Sequence, residues 1–120
     1  MARAKKKKIE KVFRVYCTYM PDGTYYVGFS SKPDKQYDKY FGSNKNILQA
    51  IKESPDDHGF TKETIGVYEK QSHAKFAEML LQIKFRHDER MLNDMIHLRG
   101  RLSYVKDIEI PDWEPTFPQS

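Results

Sequence analysis

The stretch Val12-Phe13-Arg14-Val15-Tyr16-Cys17-Thr18-Tyr19-Met20-Pro21-Asp22-Gly23-Thr24-Tyr25-Tyr26-Val27-Gly28-Phe29-Ser30 decides how this chain folds. Its first nine residues are rich in β-branched and aromatic side chains and alternate, with Phe13, Val15 and Cys17 on one face and Val12, Arg14, Tyr16 and Thr18 on the other. Pro21 pre-sets φ, Asp22 tolerates a turn and Gly23 supplies positive φ, so the chain reverses there. Thr24 to Ser30 is then the return strand of a hairpin, which sets Tyr16 and Tyr26 across a tight turn from one another.

Downstream, Ser31 to Gly42 is polar, contains Pro33 and reads as an irregular crossing segment carrying Tyr37, Tyr40 and Phe41. Ser43 or Asn44 can cap a short helix over residues 45–53 with Ile47, Leu48 and Ile51 as its apolar stripe. Pro55 and the cluster Asp56-Asp57-His58-Gly59 end that helix. Phe60 to Glu69 is the third strand, with Ile65 and Val67 expected inward. Ser72 is the expected N-cap of the longest helix, His73 to Arg86, on which Phe76, Ala77, Leu80, Leu81 and Lys84 follow a helical period. A last helical or irregular stretch holds Met91, Leu92, Met95, Ile96 and Leu98. The expected fold is α+β: a small three-stranded, mainly antiparallel sheet flanked by helices.

The chain has 120 residues, 38% hydrophobic and 32% charged, with one cysteine. That is one domain, too short for a barrel or a doubly wound sheet and large enough to fold without disulfides or a structural zinc. A lone Cys17 speaks against a secreted disulfide scaffold, and no apolar run is long enough for a membrane span. A soluble, cytoplasmic protein of a reducing compartment is expected. The formal charge of +4 is unevenly placed. Residues 1–14 hold seven basic side chains against Glu10, whereas residues 15–100 carry twelve of each sign. Residues 1–10, with Lys5, Lys6, Lys7 and Lys8, read as a disordered basic arm that contacts nucleic-acid phosphates without reading sequence. Residues 11–107 form the domain. Residues 108–120 are a tail in which Pro111, Pro115 and Pro118 surround Trp113 and Phe117. It is pinned to the body by its aromatics or, alternatively, serves as a docking peptide for a protein partner.

The order and spacing of the remaining motifs resemble the GIY-YIG nuclease superfamily, in particular its small phage-type members, which include homing endonucleases. Arg14-Val15-Tyr16 stands at the first motif, of which the tyrosine is kept. Tyr26-Val27-Gly28, inside Pro21-Asp22-Gly23-Thr24-Tyr25-Tyr26-Val27-Gly28, matches the second. Tyr40-Phe41-Gly42-Ser43-Asn44-Lys45 looks like the step before the first helix, Ala74 to Glu78 resembles the metal-binding helix, and Asn93 falls at the family's asparagine. The resemblance spans about residues 12 to 95.

The resemblance implies an endonuclease that hydrolyses DNA, RNA not being excluded, with one Mg²⁺ or Mn²⁺. In it Tyr16 takes the base or water-positioning role, Tyr26 orients the site, Glu78 binds the metal and Asn93 supports by hydrogen bonding. Tyr40, Ser43 and Lys45 would contact nucleic acid, and Gly28 and Gly42 would be structural. The family's arginine after the second motif is missing, since none lies between Arg14 and Arg86; among the nearby cations Lys32, Lys35 and Lys39, Lys35 or Lys39 is left to neutralise the phosphate. Lysine keeps the charge without the planar fork. The alternative reading is a degenerate relative acting as a nucleic-acid-binding or protein-interaction module. A length of 120 residues leaves no room for a separate DNA-recognition region, so low sequence selectivity is expected, and a homodimer is the arrangement that would cut both strands.

Overall fold

A computed structural model describes residues 12–42, 45–92 and 110–117. The expected basic arm, Ser43, Asn93 and nearly all of the last helical stretch lie outside the described residues.

Strand β1 (Phe13–Tyr19) and strand β2 (Tyr25–Ser30) form the hairpin, followed by the one-turn helix α1 (Asp34–Tyr37) and the helix α2 (Lys45–Glu53). Strand β3 (Thr61–Tyr68) and the long helix α3 (Gln71–Lys84) complete the order. The sheet is β2-β1-β3, antiparallel on both sides of β1. The α+β class and the three-stranded antiparallel sheet are as expected from the sequence.

The hairpin closes as its turn residues dictate. The Met20 amide donates to the Thr24 carbonyl at 2.9 Å, Gly23 takes φ +87°, and Asp22 Oδ1 accepts from the Thr24 amide at 3.0 Å. In the resulting register Tyr16 faces Gly28 and Thr18 faces Tyr26, so Tyr16 and Tyr26 share one face as diagonal neighbours.

Strand β1 is central and is covered on both sides, and all of it but Arg14 is buried. On the Phe13–Val15–Cys17 side it packs with Tyr25, Val27, Ala74, Ala77 and Leu81 into the core. The other side receives the crossing segment. The described tail joins the core side: Trp113 meets Phe85 edge-on at 5.6 Å, Phe117 meets Tyr19 at 5.4 Å, and Trp113 Nε1 donates to Glu63 at 2.9 Å. This is the pinned arrangement.

Several local expectations are corrected. Val67 is 62% exposed, not inward. The register of β1 against β3 slips between Val15 and Tyr16: Val15 faces Gly66 while Tyr16 faces Thr64, leaving Ile65 as the extra residue of a bulge. One inserted residue reverses a period-2 pattern, so Ile65 packs against the core while Val67 is turned away. Helix α3 starts at Gln71 after Lys70, without a side-chain cap, and ends at Lys84, so Ser72 is not its N-cap. Its buried stripe is Ala74, Ala77, Leu81 and Gln82, with Lys84 exposed. Two alanines on that face let the helix approach the sheet closely. Leu48 is 50% exposed because α2 turns Ile47 inward instead. The crossing segment contains the turn of helix α1. The sequence His87-Asp88-Glu89-Arg90 closes the edge of β2: the Tyr25 amide donates to the Arg90 carbonyl at 2.8 Å and the Tyr25 hydroxyl to Asp88 at 2.9 Å.

These positions predict opposite mutational costs. Leu81→Ala, which empties a fully buried site, should lose about 3 kcal/mol in urea unfolding. Val67→Thr should change stability by less than about 0.5 kcal/mol; a loss comparable to that of Leu81→Ala would place Val67 in the core after all.

Candidate functional site

The face of the sheet away from the core carries Arg14, Tyr16 and Thr18 of β1, Tyr26 and Gly28 of β2, and Lys62 and Thr64 of β3. Tyr16 sits at its centre and is 1% exposed. Its ring lies across the strand pair into space left by two glycines. A β-carbon on Gly28 would stand 2.4 Å from the Tyr16 hydroxyl, and one on Gly42 would stand 3.5 Å from it and 3.3 Å from the Tyr26 ring. No real side chain tolerates the first approach, and Gly42 also takes φ +132°, which disfavours any other residue. A side chain at either glycine would press on the Tyr16 and Tyr26 rings.

The crossing segment reaches this face because the sheet holds it there. The Thr18 hydroxyl donates to the Phe41 carbonyl at 2.6 Å, and Lys62 Nζ donates to the carbonyl of Tyr40 at 2.8 Å and to that of Tyr37. The Tyr37 and Thr64 hydroxyls share a hydrogen bond of 2.6 Å. Arg14 bonds the Lys32 carbonyl at 3.1 Å, pairs with Asp34, and stacks its guanidinium 4.5 Å from the Tyr37 ring. Tyr40 is thereby delivered edge-on to Tyr16, ring centroids 5.8 Å apart, with Tyr37 on it at 6.1 Å.

Glu78 approaches from α3. One turn later, Gln82 Nε2 donates to the Val27 carbonyl at 3.2 Å, fastening this flank of the helix along β2. The carboxylate is near enough to Tyr16 to help raise the pKa of its phenol. Burial is the larger cause of that rise, followed by the neighbouring Tyr40 and Tyr26, and together they carry the phenol far above its ordinary value. Tyr16 thus keeps its proton at neutral pH. Of the two roles expected for it, hydrogen-bonded positioning suits this environment and general base does not. Burial likewise raises the Glu78 carboxyl to about 7, with Lys75 pulling the other way. Among the described residues no group of three or more His, Cys, Asp and Glu side chains converges. A single half-buried carboxylate with one weak counter-charge is nonetheless a donor set that suits a hard divalent cation retaining most of its waters.

Tyr16, Tyr26, Tyr40, Gly28, Gly42 and Glu78 are thus brought together from β1, β2, the crossing segment and α3. Lys35 and Lys39 are exposed, on α1 and the turn after it, and Lys45 is exposed at the start of α2. Sequence reading missed Lys62 and Arg14, the two cations that fix the crossing segment. Burial, with Arg14 acting in the same sense and Asp38 in the opposite one, lowers the Lys62 ammonium to about 8. A signal for Lys62 exists in the strand pattern, since it sits opposite Thr18 on the Tyr16 face, but nothing in the sequence links it to carbonyls some twenty residues earlier.

Comparison with protein-family models, with curated proteins and with solved structures finds no match to this chain. No helix among the described residues is long and apolar enough to cross a membrane.

The raised Glu78 pKa carries a pH signature. The folded protein holds this proton more tightly than the unfolded chain, so the cost of ionising Glu78 is absent below the ordinary carboxyl range, grows as pH rises toward 7, and is constant above it. Glu78→Gln, in metal-free buffer, should therefore match the parent at pH 4 and exceed it by about 2 kcal/mol at pH 8.5. Denaturation midpoints whose difference stays constant between these pH values would show that Glu78 is not desolvated.

Proposed function

We propose that this chain is a small DNA endonuclease of the GIY-YIG type, hydrolysing phosphodiesters with one Mg²⁺ or Mn²⁺. The observation that carries the reading is the convergence of Tyr16, Tyr26, Tyr40, Gly28, Gly42 and the desolvated Glu78 at one place. These residues lie as far as 62 positions apart in the sequence.

In such a hydrolysis water adds to phosphorus and one P–O bond breaks, leaving a phosphate end and a hydroxyl end. Tyr16, held protonated and locked by Gly28 and Gly42, positions groups by hydrogen bonding, and the ring of Tyr40 fixes its tilt. Tyr26 shares the face and flanks the phenol. Glu78 would hold the cation, which when bound supplies Lewis-acid neutralisation of the phosphate oxygens. Residues 1–10, with Lys5 to Lys8, add affinity through counterion release. The setting consistent with this reading is the cytoplasm of a bacterium or of its phage-infected counterpart.

A second reading, a nucleic-acid-binding module that keeps the architecture without efficient turnover, draws on two observations. Tyr16 is almost fully enclosed, and Arg14 and Lys62, the half-buried cations of the face, are both engaged by backbone carbonyls.

Conversion of supercoiled plasmid to nicked or linear form separates the two. The parent with Mg²⁺ or Mn²⁺ should nick, and Glu78→Ala should be slower by at least about 10²-fold, the usual cost of losing an electrostatic contributor. Equal conversion by Glu78→Ala sinks the enzyme reading, as does none by the parent. For the arm, deletion of residues 2–8 should weaken duplex binding at low salt and flatten the dependence of log affinity on log salt concentration by several units. An unchanged slope would leave the arm without a role in binding.

A further inference from the structure

Resting on the nuclease reading above, we propose that Lys32, and neither Lys35 nor Lys39, is the cation that meets the scissile phosphate. The inference follows from how each cation near the tyrosines is already engaged. Among the described residues, three cations lie against the rings of the Tyr16 cluster: Arg14, Lys62 and Lys32.

Two of them are already engaged. Arg14 gives one terminal nitrogen to the Lys32 carbonyl and the other to Asp34, with its plane over Tyr37. Lys62 has three N–H donors; two go to the carbonyls of Tyr37 and Tyr40, and the ammonium stands 3.6 Å from the centroid of the Tyr37 ring. Recruiting either to a phosphate would release the crossing segment that carries Tyr40 and Gly42 to the site.

Lys32 is the reverse case: its backbone is held and its side chain is not. Its amide donates to Ser30 Oγ at 3.1 Å and its carbonyl accepts from Arg14 at 3.1 Å, so its backbone is held by both β2 and β1. Its ammonium has no hydrogen bond or ion pair among the described residues and stands 4.9 Å from the centroid of the Tyr40 ring, which itself meets Tyr16. The contact aims the ammonium while leaving its three donors for an anion. Lys35 and Lys39 are exposed. Lys75, against Phe29, lies on the Glu78 side and already offsets that carboxylate. A compact ammonium one ring away from a protonated tyrosine is a site for a single phosphodiester oxygen pair, bound as a point charge.

The test compares Lys32→Ala, Lys32→Arg, Lys35→Ala and Lys39→Ala, with Lys52→Ala on exposed α2 as the control for lost surface charge. Each is assayed for single-turnover plasmid nicking with Mn²⁺ and for the salt dependence of binding to a short duplex in EDTA, after thermal unfolding shows it folded. We expect Lys32→Ala to nick about 10²-fold more slowly, to reduce the salt slope by about one, and to lose more than either other alanine variant, while Lys32→Arg keeps most of the rate. Nicking by Lys32→Ala within threefold of the parent overturns the assignment, whatever the slope. So does a larger loss at Lys35 or Lys39. A parent that binds but does not nick removes the nuclease reading and leaves the phosphate contact to the slope: a reduction in Lys32→Ala upholds it, and an unchanged slope overturns it.

Discussion

The seating of the Tyr16 ring over Gly28 is the contact on which the rest of the functional face depends. Tyr16 and Gly28 are directly opposed in the hairpin, so the ring crosses the strand pair where a side chain would otherwise stand. Once the ring is there, Gly42 must approach without a side chain, Tyr40 has an edge to meet, and Glu78 acquires a phenol as a neighbour. Removing the space at Gly28 would displace the ring and with it every one of these relations. A dense aromatic face is thus organised by two residues that contribute no side-chain atoms.

The face is electrostatically costly, and the cost is concentrated where the chemistry is proposed. Tyr16 is shifted upward, Glu78 is raised to about 7 and Lys62 is lowered to about 8, in each case chiefly because burial penalises the charged form. Lys62 is offset by two carbonyls and an aromatic ring, whereas Glu78 has Lys75 as the counter-charge acting on its pKa. That imbalance is what a cation at Glu78 would relieve, and it distinguishes this carboxyl from Asp88, which Arg90 and Tyr25 hold well below the usual carboxylate range.

Much of the architecture is legible from local chemistry. The Pro21-Asp22-Gly23 turn fixes the hairpin register, and register alone places Tyr16, Tyr26 and Gly28 on one face. The helix around Glu78 reads from its period, although the centre of its buried stripe is marked by Ala74 and Ala77 instead of the larger Phe76 and Leu80. What is not legible is whatever depends on long-range fit. The bulge at Ile65 turns Val67 outward, and a strand segment alone carries no sign of where its partner will slip. Lys62 looks like an ordinary strand lysine until the crossing segment arrives with two carbonyls to satisfy, and Arg14 looks like a replaced motif residue until Asp34 and Tyr37 close on it.

By itself, then, the sequence determined the hairpin, the helical and strand periods, the separation of a basic first segment from a near-neutral body, and the set of tyrosines, glycines and glutamate worth watching. These follow from backbone preferences and from charge, which act over a few residues or none. Only the tertiary structure decided which cations are engaged by the scaffold and which keep their donors, that Tyr16 is enclosed, and that Trp113 and Phe117 pack onto the core. The reason is physical: burial, pairing and pKa are properties of what surrounds a group, and the surroundings of Tyr16, Lys62 and Lys32 come from parts of the chain that meet only when it folds.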